Sequence, residues 1–425
     1  MNIDNDILDK VNESIDYISK FGEGEIIYDC GNEISSNVVK NEVNESIEKN
    51  GSNYSIRLFI DSKEGKFSLK KLNKDILDKI IKITKSNSKK EYFNGLPSNK
   101  LKKPTNLTSK KLSRFNKEKI LDYQKNLLSE IDDSISFNSS FEYNQSKTYF
   151  VNTNGVEYKE TDYSISSSFS SIYNQSGYSD YISTSDDINY DSFKSVALNS
   201  VNKAVEFSKA DKLKKIPKTV TLLPGSFSSL VSNSYLSNLK AKNIEKKRSI
   251  YSDFKTKAID NSISIYDKSD IFGSTSSSNY DREGVMCKSH YVVNNGELIN
   301  PVTDYNTAIE NDIDFFGNYF SGTSFNNLIF EHDNMLSEDD YEKGDLLVDN
   351  VIGSHTSNSM TTEFSVNVHS AYYFDGKDFI PVNNFMISGK MKDMLNNSLG
   401  VIKYDKPLKS LYSNALKSNC SVTLD

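Results

Sequence analysis

The chain opens on a helical period. Leu8, Val11, Ile15 and Ile18 recur at spacings of three and four, which puts them on one face and predicts an amphipathic helix over residues 5–20. Gly22 and Gly24 then end it. The pattern shortens into strand-like runs at Glu25–Cys30, Ile34–Asn41, Tyr54–Ile60 and Lys66–Leu69, with turn chemistry at Gly31–Asn32 and Asp61–Gly65. Helical spacing returns over Asn73–Thr84, where Ile76, Leu77, Ile80, Ile81 and Ile83 give a broad apolar face. Helix, strands, helix predicts a small N-terminal layered domain over residues 1–95. A linker over 96–111 follows, holding Pro97 and Pro104.

Beyond it, residues 116–130 repeat Ile120, Tyr123, Leu127 and Leu128 at helical spacing. Residues 134–184 then alternate with period two. Ile135, Phe137, Phe141 and Tyr143 form one run, and Tyr163, Ile165, Phe169 and Tyr173 another, with Asn154–Gly155 between them. An Asn-Gly pair flanked by alternating apolar residues is a strong hairpin signal. The segment therefore predicts a β meander with an aromatic face and a serine-rich face. Residues 191–209 are helical, Thr219–Leu223 is a strand closed by Pro224–Gly225, and a helix is expected over 226–240. Residues 285–425 are mostly strands and turns, with turns at Asn295–Gly296 and Asp375–Gly376. The expected class is α+β, with the small N-terminal domain followed by a larger antiparallel-sheet-rich C-terminal domain over 112–425. No repeat of 20–50 residues is present.

Composition narrows the partners. The 425 residues include 25 Tyr and 23 Phe but no Trp, and only 36% are hydrophobic, so large rings offset a modest aliphatic content. Net charge is −7. Lysine pairs occur at Lys89–Lys90, Lys102–Lys103, Lys110–Lys111, Lys214–Lys215 and Lys246–Lys247. Without a recognition helix or interleaved aromatics they read as solvated loops and helix faces, so no nucleic-acid partner is expected. Cys30, Cys287 and Cys420 are few, odd in number and far apart, which argues against a disulfide framework and a thiolate zinc site. The N-terminus is charged and amphipathic, and no apolar run approaches the length of a membrane span. No membrane association is expected, and the cytoplasm is the expected location.

Candidate chemistry is sparse. The four histidines, His290, His332, His355 and His369, form no HExxH-type helical pair. Cys287 lies near Glu283 and His290, but strand alternation would point residues 287 and 290 to opposite faces, so a buried structural thiol is the simpler reading. Gly273-Ser274-Thr275-Ser276 lacks the Lys-Ser/Thr ending of a phosphate-binding loop. The carboxylate pairs Asp132–Asp133, Asp186–Asp187 and Asp339–Asp340 sit at element ends, where solvated caps suffice.

Four strings in order carry a resemblance. They are Phe93-Asn94-Gly95-Leu96-Pro97; Tyr149 to Val156 with Asn152 and Asn154-Gly155; Asp281-Arg282-Glu283-Gly284-Val285 followed by Asn295-Gly296; and Phe379-Ile380-Pro381-Val382 with Ile387-Ser388-Gly389. Together they resemble the TldD/PmbA family, whose peptidase members hold one zinc with an HExxxH helix and a distant cysteine. The matching place here, Pro224 to Tyr235 (PGSFSSLVSNSY), has no His and no Glu. The chain is therefore similar to PmbA-type (TldE-type) members, which lack the motif and pair with a zinc-bearing TldD-type subunit.

The resemblance implies a non-catalytic subunit of a heterodimeric zinc metallopeptidase acting on unfolded or extended peptides, which would add as a strand to an exposed sheet edge. No catalytic, cofactor or metal residue is expected in this chain. Zinc is expected on a partner subunit, and the expected partner is a TldD-like HExxxH-bearing subunit or a second copy of this chain in a dimer. Ser274, Thr275 and Tyr280, in the loop 273–281, and Ser354, His355 and Thr356, in the loop 353–362, are the candidates to line a peptide cleft. The glycine-rich stretch usual before the C-terminal string is here Gly353 to Met360 (GSHTSNSM), a departure within that second loop. Two alternatives stand beside this reading. One is a non-enzymatic homo-oligomeric binding or scaffold protein of the same fold. The other is a metallopeptidase with a metal site rebuilt from His355, His369 or Cys420.

Overall fold

The computed structural model describes residues 3–87, 94–98, 101–403, 411–412 and 414–424. Phe93 of the first string and the pair Lys89–Lys90 lie outside these residues.

One sheet organises the first half of the chain. Its strands are β1 (Glu23–Val39), β2 (Glu42–Ile60), β3 (Lys63–Leu69), β4 (Ser136–Asn152), β5 (Glu157–Tyr173) and β6 (Ser176–Thr184), in the order β3-β2-β1-β4-β5-β6, with antiparallel neighbours throughout. The turns Lys40–Asn41, Asp61–Ser62 and Asn174–Gln175 each place two residues at positive φ, the geometry that matches hairpin twist. The meander expected over 134–184 is present, but it continues the N-terminal strands. β1 pairs with β4 from Glu25↔Asn152 to Val38↔Ser139, so the boundary expected at 96–111 does not divide the sheet.

The turn expected at Gly31–Asn32 is also absent, since β1 runs through it. A Cβ at Gly31 would fall 2.2 Å from the Gln145 carbonyl oxygen. The glycine permits close backbone approach inside a strand, which from sequence looks the same as a turn signal.

Alternation sends one face of this sheet to helices. Helices α1 (Asn5–Ile18) and α2 (Lys74–Ser86) cover Ile26, Tyr28, Ile56, Leu58 and Tyr149. Helices α3 (Lys117–Leu128) and α4 (Tyr190–Phe207) cover Ile34, Phe137, Phe141, Ile165 and Phe169, with Phe193 of α4 edge-on to Phe169. Asn73 and Asn116 cap α2 and α3 through side-chain oxygens, which fits their place just before each apolar period.

The second half packs two sheets on one core. A six-stranded sheet centres on Ile263–Lys268, flanked by Asn327–His332 and His290–Asn294, and a ten-stranded sheet centres on Val220–Leu222, Leu346–Ile352 and Glu363–Phe374. Helix α5 (Pro224–Ser234) lies within that core. Phe227, Leu230 and Val231 are buried at helical spacing, with Phe227 edge-on to Phe330. Of the strands expected from residue 285 onward, the first begins only at His290, because residues 281–289 are a docking loop.

Candidate functional site

The histidines and cysteines stay apart. His290 is buried, stacked on Phe316 at 3.9 Å, with Nδ1 3.0 Å from the Lys288 carbonyl. Burial pushes its pKa down to about 4, so it is neutral near pH 7. His332 accepts from the Asn334 backbone N–H and lies 3.0 Å from the Ser398 hydroxyl. His369 meets the Gly177 carbonyl at 2.5 Å, while His355 is exposed on the turn after Leu346–Ile352. Cys287 is buried, and burial raises its thiol pKa well above the usual range. Cys420 is held up at about 12 for the same reason. Among the described residues no group of three or more His, Cys, Asp or Glu side chains is placed to hold a metal ion.

Helix α5 covers the segment that the sequence resemblance matches to the zinc helix of peptidase members. Its inward side is apolar, and its outward side presents Ser229, Ser232 and Asn233. The Ser226 hydroxyl donates to the Val348 carbonyl at 2.7 Å, which ties the helix start to the strand Leu346–Ile352. Hydroxyls and an amide are not the thiolate, imidazole and carboxylate donors that zinc selects. The helix therefore does not fit a zinc ion.

The loop 353–362 packs beside that polar side. Ser354 shares a 2.7 Å hydrogen bond with Ser229 and also receives one from Asn233, and Asn238 donates to the Ser359 carbonyl at 2.6 Å. His355 and Thr356 are exposed, and Met360 and Ile352 present apolar surface at 54% and 55% exposure.

The loop 273–281 sits elsewhere, against the helix-free face of the six-stranded sheet of the first half. Ser274 is buried and its hydroxyl donates to Asn327, while Tyr280 is buried, stacked at 4.6 Å on Tyr158 and bonded to the Lys102 carbonyl. Thr275 opens outward, within 3.2 Å of Ser183, onto a groove of about 620 Å³ lined by Glu33, Ser35, Glu142, Ser166 and Ser168. Among the described residues no hydrogen bond joins the two loops. The six candidate residues thus divide between two places: Ser354, His355 and Thr356 beside α5, and Thr275 on the serine-rich groove, with Ser274 and Tyr280 packed inside.

The other half of the same sheet face is closed, and here parts of three of the four family-like strings meet. Asn152 accepts from the N–H groups of Asn154 and Val156 and donates to the Pro97 carbonyl at 2.8 Å. Asn154 donates to the Leu96 carbonyl, and Glu23 accepts from the Leu96 N–H. Onto this clasp docks the loop Asp281–Val285. Asp281 accepts from the N–H groups of Glu283, Val285 and Tyr319. Gly284 (φ +79°) presses on Phe150, and a Cβ there would fall 2.5 Å from that ring.

Arg57 of β2 bridges Glu25 of β1 and Glu283 of the loop, with a nitrogen 2.8 Å from each, and all three are largely buried. Burial pushes Glu25 and Glu283 up while Arg57 pulls both back, and the two carboxylates keep Arg57 charged against burial. A second pair, Arg282–Asp29 at 2.6 Å, lies at the margin. Sequence reasoning missed Arg57, Glu25 and Asp29, because nothing local distinguishes them from exposed strand charges. Further along β5, burial raises Glu160 to about 7 and Asp162 to about 6, and Asn279 donates to Glu160 at 2.6 Å.

A sheet edge also lies open. β3 covers only Tyr54–Ile60 of β2, so Glu42–Asn53 has a strand partner on one side alone. Two of its carbonyls are taken by lysines: Lys117 reaches the Ser46 oxygen at 2.8 Å and Lys70 the Ser52 oxygen at 3.1 Å. Charged lysines on an edge discourage pairing with another chain.

Residues 217–413 match the family described as "PmbA/TldA metallopeptidase C-terminal domain". An uncharacterised protein of Methanocaldococcus jannaschii is 25% identical over 361 residues, covering 79% of this chain and 82% of that one. Among solved structures, a candidate modulator of DNA gyrase from Bacteroides thetaiotaomicron superposes with TM-score 0.85 at 19% identity, covering 100% of both chains. One from Thermotoga maritima gives 0.85 at 18%, covering 99% and 100%. TldE from Thermococcus kodakarensis gives 0.84 at 18%, covering 98% and 100%. At these identities the structural likenesses establish the fold. No helix among the described residues is long and apolar enough to cross a membrane.

Proposed function

We propose, from the premise that this chain is a member of the TldD/PmbA family, that it is a PmbA-like, non-catalytic subunit of a zinc metallopeptidase whose metal is held by a TldD-like partner. The observation that carries this reading is α5. The helix keeps its place in the core and its tie to the neighbouring strand, yet its outward side holds Ser229, Ser232 and Asn233 where a peptidase needs imidazole and carboxylate. On this reading the scaffold of the site remains while the donors for the metal are gone. Beside it, Ser354, His355 and Thr356 give a hydroxyl-rich wall with exposed apolar flanks at Ile352 and Met360, suited to an extended peptide with alternating polar and apolar contacts.

The rebuilt-metal alternative has little support. His369 is bonded to the backbone of β6, Cys420 is partly buried, and His355 stands on a separate turn. The homo-oligomeric alternative stays open to the same experiment.

The test is co-purification of the tagged chain from its native cell, followed by metal analysis and peptidase assay on an unfolded substrate. The expected result is an HExxxH-bearing partner, about one zinc per pair and activity only in the pair. Stable homodimers with no such partner would sink the subunit reading. Stoichiometric zinc on this chain alone would overturn it in favour of a rebuilt site.

A further inference from the structure

The lysine pair Lys214–Lys215, taken from sequence as a solvated loop, belongs to a pocket. The segment 211–215, which follows α4, lays a two-residue strand on Phe379–Asn383 and then turns across the edge of the ten-stranded sheet. A cavity of about 310 Å³ lies beneath it, at the small end of the range for ligand pockets. We propose that this pocket binds an aliphatic carboxylate, with the charged head among lysines and the chain on an apolar floor.

The charge comes from four residues. Lys212, Lys214, Lys215 and Lys343 border the cavity; among the described residues none of these ammonium groups is in a close ion pair or hydrogen bond, and Lys343 is near enough to Asp375 to help hold that carboxyl below its usual range. Two aspartates, Asp211 and Asp375, also border it. Asp375 is engaged in its own turn, where it accepts from the N–H groups of Lys377 and Asp378. The excess of two positive charges, in a chain whose net charge is −7, makes a local field of reversed sign that attracts a small anion. The aspartates disfavour a polyphosphate. Nor does the pocket offer an arginine fork or a long-helix N-terminus, the usual means of holding phosphate.

The floor supplies the second half of the recognition. Ile380 and Tyr373, both partly buried, present its apolar surface, and Leu213 and Val382 pack in the core behind them. An inorganic anion would leave that surface wet, whereas a chain of several carbons covers it. Two sources present this chemistry: a free aliphatic acid, or the C-terminal carboxylate of a peptide ending in an aliphatic residue.

The test is calorimetric titration of the purified full chain with octanoate, with a hexapeptide ending in free Leu, with the same peptide amidated, and with inorganic phosphate. Octanoate is expected to saturate with a Kd below about 1 mM and phosphate not to bind. Free-carboxylate peptide binding more tightly than both octanoate and the amide assigns peptide termini, while octanoate binding alone assigns free acids. Lys214→Glu/Lys215→Glu, at exposed positions, should weaken binding at least about tenfold with an unchanged circular dichroism spectrum. The proposal is overturned if neither carboxylate saturates, if the double variant binds as well as the parent, or if phosphate matches octanoate.

Discussion

The six-stranded sheet of the first half presents one face to helices and the other, in two halves, to different fates. Near Glu25–Asp29 that second face is closed by the loop Asp281–Val285 and holds the buried Glu25–Arg57–Glu283 bridge. Near Glu33–Asn37, on the same strands and the same face, it is an open groove of serines and glutamates. The secondary structure is the same in both halves. What differs is whether a distant loop desolvates the charges, and desolvation is what gives a charge pair consequences beyond the small value of an exposed one.

The largest expected effect tests that difference directly. Arg57→Met leaves Glu25 and Glu283 buried without their counter-charge and should cost about 3–5 kcal/mol, measured by urea unfolding monitored at tyrosine. A loss below about 1 kcal/mol would mean the bridge is effectively solvated and the two halves are alike.

Next is Gly284→Ala. It puts a Cβ 2.5 Å from the Phe150 ring at a backbone angle that favours glycine. A loss of about 1–3 kcal/mol is expected, along with faster proteolysis between the sheet and the C-terminal body. An unchanged melting temperature would show that the loop docks loosely.

A smaller effect belongs to Glu160, at the margin between the halves. Its folded pKa is raised from 4.5 to about 7, chiefly by burial. Between those values the unfolded chain gives up the proton that the folded chain keeps, so this group makes stability fall as pH rises from about 4.5 to 7. Glu160→Gln removes that slope while still offering Asn279 an acceptor. The variant should gain on the parent across that window in a series of thermal melts, and parallel curves would place Glu160 in solvent.

Smallest are Ser35→Ala and Ser168→Ala in the open groove. Each should stay within about 0.5 kcal/mol of the parent, which a denaturant midpoint comparison resolves. A loss above about 1 kcal/mol would mean the groove is occupied or closed in solution.

Much of the architecture was legible from local pattern. The helical spacing of Ile76, Leu77, Ile80 and Ile81 and the alternation of Phe137, Phe141 and Tyr143 mark α2 and β4 in the sequence itself. Asn154–Gly155 marked the hairpin between β4 and β5. The same local logic went wrong at Gly31, where a glycine that looked like a turn permits close approach of β4, and at the expected boundary over 96–111, where β4 joins β1. Both misses concern what lies beside a strand, which the strand's own residues do not encode.

The candidate site divides in the same way. That residues 224–235 lack metal donors is a property of the sequence alone, since no fold can put an imidazole or carboxylate on a segment whose residues carry none. That Ser274 and Tyr280 are packed away while Ser354 stands beside α5 was decided by tertiary structure. So was the conversion of Lys214–Lys215 from loop charges into the wall of a pocket, and of Arg57 from a strand charge into a buried bridge. Periodicity records which face of an element is apolar, because the amphipathic repeat is written in consecutive residues. Burial of a charge depends on partners such as Arg57 and Glu283, 226 residues apart, and only the folded chain brings them together.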